Sequence, residues 1–199
     1  NRILMQNLGL RTFIAIELDQ NLQKILERIQ SDLLKSGADV KWVEPHNIHL
    51  TLKFLGELEG GKIEGLIQAM ETGLSTYPAF SFDLTPLGAF PKVEHPKVLW
   101  VGVNSGKKQI QQLADSLEDN LKTLGFKKEK KEFRPHVTIG RVRSSLNKFA
   151  LSKMLKNYSL PQPMAQNVKE IVLFKSTLTS SGPIYEALRK IPLTKNNGR

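Results

Sequence analysis

The stretch Asn47-Ile48-His49-Leu50-Thr51-Leu52-Lys53-Phe54-Leu55-Gly56 (NIHLTLKFLG) decides the fold, because it alternates like a strand and has a second copy further along. Residues two apart on a strand share a face. His49 and Thr51 therefore project together, while Leu50, Leu52 and Phe54 are expected to face the core. The stretch Arg134-Pro135-His136-Val137-Thr138-Ile139-Gly140-Arg141-Val142 (RPHVTIGRV) repeats the pattern, with His136 and Thr138 projecting above Val137 and Ile139. The two histidines lie 87 positions apart.

Working outward, each copy sits in the same order of elements. RTFIAIEL (11–18) reads as a strand, and Asp19 can cap a helix carrying Leu22, Ile25, Leu26, Ile29, Leu33 and Leu34 at helical spacing. The histidine strand follows, then a helix over about 61–76 and a strand at 80–88. The second half runs VLWVGV (98–103), a helix with Ile110, Leu113, Leu117, Leu121 and Leu124 ended by Gly125, the histidine strand, a helix over about 146–157, and a strand at 168–176. First strands are offset by 85 positions and last strands by 88, close to the offset of the histidines. One offset held through five elements indicates a duplicated strand–helix–strand–helix–strand unit, about 11–90 and 97–178. Neither first strand is followed by a glycine-rich phosphate loop, which argues against a doubly wound parallel sheet. Two packed α+β lobes related by a pseudo-twofold axis fit better. The expected domain is 8–193, with flexible ends at 1–7 and 194–199.

The 199 residues carry 29 Lys and Arg against 19 Asp and Glu, a formal net charge of +10, which favours anionic partners with nucleic acid first among them. Part of that excess is local, in KKEKK (127–131) and the tail TKNNGR. The absence of cysteine removes disulfides, thiolate nucleophiles and cysteine-based zinc sites, and is compatible with a cytoplasmic setting. The apolar runs FIAI (13–16) and VLWVGV are too short to span a bilayer, so no membrane partner is expected.

Imidazole titrates near neutrality, so one ring can take a proton from water while the other gives one to a leaving oxygen. A threonine hydroxyl on the same strand face can donate to a phosphate oxygen. Such a site needs no metal when the substrate brings a good leaving group, as a strained cyclic phosphodiester does. A single His-x-Thr is commonplace, whereas two at matching positions of a repeat, drawn from four histidines in the chain, are not.

RTFIAIEL, VKWVEPHNIHLTLKFLGEL, PKVLWVGV, FRPHVTIGRVR and LFKSTLTSSGPIYEAL, in this order from about Arg11 to Leu193, resemble the two-histidine phosphoesterases. Within them they resemble the RNA 2′,3′-cyclic phosphodiesterases, also called 2′-5′ RNA ligases. His46 stands where similar sequences often carry Glu. The resemblance implies a bilobed α+β fold with two antiparallel β-sheets, flanked by helices, around a V-shaped cleft. It implies no metal, and hydrolysis of a terminal 2′,3′-cyclic phosphate on RNA or nucleotides to a 2′-phosphomonoester; apart from the resemblance, no cofactor and a monomer are expected. His49 would protonate the departing O3′, His136 would activate water, and Thr51 and Thr138 would hold the non-bridging oxygens. Two alternatives remain at this point: ligation through a 2′-5′ linkage as the main role, or a non-catalytic RNA-binding module.

Strand parity adds substrate-binding candidates. Arg134 shares the face of His136 and Lys53 that of His49, so either can meet phosphate. Arg141 follows the second motif but is turned away by strict alternation, unless a bulge restores it. Phe13 and Trp100 occupy matching rows opposite the phosphate site, where aromatic rings can stack on bases. Trp42 reads as packing, and His46 and His95 as surface residues. Lys175, Ser176 and Tyr185 fall in a hairpin-like segment with open roles.

Overall fold

Asp19 starts the first helix by accepting a hydrogen bond from the Leu22 N–H at 2.8 Å. In the computed structural model, which describes residues 9–129 and 132–195, that helix is α1 (Gln20–Leu34). Its Leu22, Leu26, Ile29 and Leu33 form a fully buried row, each contributing about 1.5–3 kcal/mol of apolar burial. Helices α2 (Ile63–Leu74), α3 (Lys107–Lys122) and α4 (Lys148–Asn157) follow at the expected places. The strands are β1 (Leu10–Glu17), β2 (Val40–Trp42), β3 (His49–Leu58), β4 (Phe80–Lys92), β5 (His95–Val103), β6 (His136–Val142), β7 (Ala165–Val168), β8 (Glu170–Thr179) and β9 (Gly182–Pro192). The expected flexible ends at 1–7 and 196–199, and the last two residues of KKEKK, lie outside the described residues. Thr194, placed by sequence in the loose tail, is held: its N–H donates to Tyr77 O at 2.9 Å, and its carbonyl accepts from Ala79 N–H at 2.8 Å.

All strand pairings are antiparallel, in the order β7-β4-β5-β6-β3-β1-β8-β9, with β2 paired to β6. Two four-stranded halves, β7-β4-β5-β6 and β3-β1-β8-β9, meet between the two histidine strands through the single pair Leu50↔Val137. The two sheets expected from sequence are thus edge-joined into one curled sheet. Strands are exchanged between the halves of the chain: β4 runs beside β5, and β8 beside β1. The helices are exchanged too, since α1 packs against β6 and α3 against β3.

One large core fills the space between helices and sheet. A smaller cluster of Phe13, Ala15, Val172 and Phe174 lies on the opposite face of β1, with Tyr185 packed against it. β1 is therefore buried on both faces.

Candidate active site

Leu50 and Val137 are both fully buried and pair across the join, so their neighbours His49, Thr51, His136 and Thr138 share the other face. Extending the antiparallel register sets Thr138 opposite His49 and Thr51 opposite His136. The four side chains expected to carry chemistry lie together, histidines on one diagonal and threonines on the other. All four are half-buried.

Each imidazole is oriented by its own strand. The Nδ1–H of His49 donates to the Asn47 carbonyl at 2.7 Å, and that of His136 to the Arg134 carbonyl at 2.6 Å. In both rings the same two-residue backbone bond selects the tautomer, and Nε2 is left for proton transfer. Asn47 is anchored in turn: its side-chain N–H donates to Pro183 O at 3.0 Å, tying the short 3₁₀ turn Pro45–Asn47 to the β8–β9 hairpin.

The rings are also flanked alike. Phe13 stacks on His49 at 4.7 Å with an interplanar angle of 29°, and Tyr185 meets it edge-on at 5.3 Å. Phe90 meets His136 edge-on at 5.2 Å, with Trp100 at 6.4 Å. Burial among these rings pulls the His49 pKa below the ordinary histidine value, with the Asn47 carbonyl acting the other way. Burial likewise raises the Tyr185 phenol, opposed by the nearby guanidinium charges of Arg11 and Arg141.

Both histidine strands carry a bulge, and strict alternation fails there. On β3, Thr51 pairs with Ala15 and Lys53 with Ile14, so Leu52 is an extra residue. On β6, Thr138 pairs with Trp100 and Gly140 with Leu99, so Ile139 is extra. The burial sequence is then the same in both strands. Leu52 and Lys53, like Ile139 and Gly140, go under the sheet, and Phe54 and Arg141 come up as exposed residues.

Several expectations change accordingly. Lys53, expected in the cleft, is buried beneath β3 and paired with Glu118 at 2.6 Å. Phe54, expected in the core, is 61% exposed and faces Phe13 at 6.2 Å. Arg141, set back by the extra residue Ile139, comes up exposed on the side of His136 and Thr138. Phe13 shares the face of His49, but at 3% exposure it is a wall behind that ring and offers no open face to a base. Trp100 stands in its expected row, over Gly88 and beside Phe90. The side chain of Arg134 is exposed toward Glu132 at 3.5 Å, and it is the Arg134 carbonyl that serves His136. His46 and His95 are exposed, as expected.

Beside His49, past Phe13 and Tyr185, an open concavity of about 330 Å³ is lined by Arg11, Phe13, Phe54, Glu57, Ser176 and Tyr185, together with Thr12 and Gly56. Sequence reading missed Phe54 and Arg11 because the bulge and the exchanged β8–β9 hairpin create this wall. Tyr185 was visible in the sequence without a role.

The profile of the 2′-5′ RNA ligase superfamily matches residues 13–178. An RNA 2′,3′-cyclic phosphodiesterase of Aquifex aeolicus is 37% identical over 186 residues, 92% of this chain and 97% of that protein. One of Methanothermobacter thermautotrophicus is 34% identical over 175 residues, 88% and 94% of the two chains. Among solved structures, Escherichia coli LigT in apo form superposes with a TM-score of 0.77 at 23% identity, over 94% of this chain and 99% of that one, a likeness of fold.

Proposed function

The chain belongs to the 2′-5′ RNA ligase superfamily, and from that premise we infer that it opens terminal 2′,3′-cyclic phosphates on RNA. The observation that carries this reading is the matched pair of imidazoles, each held through Nδ1 by a carbonyl two residues back, with two threonine hydroxyls on the same face.

In the proposed reaction His136 Nε2 takes a proton from water, whose oxygen attacks phosphorus. His49 Nε2 gives its proton to O3′ as the P–O3′ bond breaks, and the product keeps a 2′-phosphate. Each proton transfer is worth about 10²–10⁴-fold. Thr51 and Thr138 donate to the non-bridging oxygens, and Arg141 adds a charge-assisted contact to the same group. The lowered pKa of His49 belongs to the free protein. A phosphate anion in the cleft raises it again, so the substrate itself loads the acid. The concavity by Phe54 and Tyr185 then takes the terminal nucleoside, whose O3′ lies on the His49 side. Trp100 walls the water side. The chain is proposed to act as a metal-free monomer in the cytoplasm. No helix among the described residues is long and apolar enough to cross a membrane.

The test is an RNA oligomer ending in 2′,3′-cyclic phosphate, incubated with the protein in excess EDTA. A 2′-phosphate end is the expected product. A 3′-phosphate would overturn the leaving-group assignment, loss of turnover on adding EDTA would overturn the metal-free scheme, and binding without turnover would favour an RNA-binding module.

A further inference from the structure

Neither bulge follows from its own strand, and each is met from below by a polar side chain of a helix. Glu118 of α3 accepts from Lys53 Nζ at 2.6 Å, and Lys53 also donates to the Lys127 carbonyl at 3.1 Å. Gln30 of α1 donates through Nε2 to Ile139 O at 2.8 Å, the carbonyl of the extra residue in β6, and to Val43 O at 2.7 Å. Gln30 and Glu118 are 88 positions apart, within one of the 87 that separates the two histidines. They are 6% and 8% exposed. Equivalent positions on the two exchanged helices thus do equivalent work under the two histidine strands.

The β3 device is the more telling, because it is poorly made as a source of stability. Its charges are almost fully buried, with side-chain exposures of 3% and 9%, and Glu118 Oε2 has no partner among the described residues. Buried ion pairs are often no better than apolar replacements, and their best-attested use is to fix a register. Strict alternation would set Lys53 in the cleft with water and Phe54 in the core, an arrangement that leaves Glu118 buried beneath β3 without its counter-charge. The opposite arrangement is present because Glu118 waits under the sheet. In β6 the matching position is Gly140, where a Cβ would stand 2.8 Å from Val40 Cγ1 and 3.0 Å from Trp42 Cε3, so only a bare backbone fits.

We propose that Glu118, through its ion pair with Lys53, is a positioning residue that holds the β3 bulge and so presents Phe54 to the substrate cleft, with Gln30 doing the same for Arg141. The proposal rests on the cleft being the substrate site as read above, but its main test does not depend on turnover. The chain has no cysteine, so Phe54→Cys supplies a single thiol whose reaction with a soluble disulfide reagent reports the register. In the otherwise unaltered protein the thiol should react fast. Glu118→Leu strands the Lys53 charge, which swings into the cleft, and the thiol should slow at least tenfold as position 54 turns inward. Adding Lys53→Met removes the charge and should restore fast reaction. Gln30→Met, under the other strand, should leave it unchanged.

In chains that keep Phe54, Glu118→Leu should raise KM about tenfold with a smaller change in kcat, and Lys53→Met should reverse that rise. Should Glu118→Leu unfold the chain, Glu118→Gln, which keeps an acceptor but drops the charge, should show the same slowing to a lesser degree. Thiol reactivity unmoved by the loss of Glu118, or not restored by Lys53→Met, overturns the proposal. If the unaltered protein fails to open the cyclic phosphate, the functional reading falls and the thiol series still decides the register.

Discussion

Adding one methyl group at Gly88 tests the His136 side of the cleft. Gly88 on β4 pairs directly with Trp100 on β5, and the indole lies flat over the bare backbone. A Cβ there would stand 2.5 Å from Trp100 Cη2 and Cζ2. Ordinary carbon contacts need about 3.5–4.0 Å, so the ring must move by about 1 Å. Phe90 blocks one side, with ring centroids 5.0 Å apart, and His136 stands on the cleft side at 6.4 Å. The ring is therefore pushed toward His136. Overpacking of this kind costs about 1–3 kcal/mol. At about 2–4 °C per kcal/mol for a chain of this size, Gly88→Ala should lower Tm by several degrees. Misplacing a catalytic group by about 1 Å can cost about 10²-fold, so kcat/KM on cyclic-phosphate RNA should fall by one to two orders of magnitude. Gly61→Ala is the control, since a Cβ there meets nothing within 4 Å. Thermal unfolding by circular dichroism and initial rates decide the matter. A Gly88→Ala protein with unchanged Tm and unchanged rate would show that Trp100 is not seated over Gly88.

Three further outcomes are expected. His49→Gln and His136→Ala should each lose about 10²–10⁴-fold in kcat while keeping the far-ultraviolet spectrum of the parent; substantial turnover in either contradicts the paired mechanism. Because folding lowers the His49 pKa below its ordinary 6.5, the unfolded chain takes up that proton first as pH falls. Its contribution to stability is full above pH 6.5 and is lost as pH drops through the folded value, so urea midpoints should fall on acidification, and less steeply in His49→Gln. Arg141→Ala should raise KM about tenfold, and Arg141→Lys should recover only part of it, since an ammonium lacks the planar fork of a guanidinium; a wild-type KM in the alanine variant would remove Arg141 from the site.

What the sequence alone determined is what contiguous residues encode. Helix starts such as Asp19, the buried row from Leu22 to Leu33, and the sharing of one face by His49 and Thr51 follow from periodicities of 3.6 and 2 within a few residues. The duplicated order of elements raised two ordinary His-x-Thr pairs to a candidate site, and the structure sets the four side chains on one face across Leu50↔Val137. Strict alternation holds only while nothing distant interferes, and it broke after Leu52 and Ile139. There Glu118 and Gln30, 65 and 109 positions from the groups they bind, reach up from helices belonging to the other half of the chain. Lys53 went under the sheet, Phe54 and Arg141 came into the cleft, and Phe13 became a wall behind His49. A strand's period is local, but the side chain waiting beneath it is brought there only by the tertiary fold.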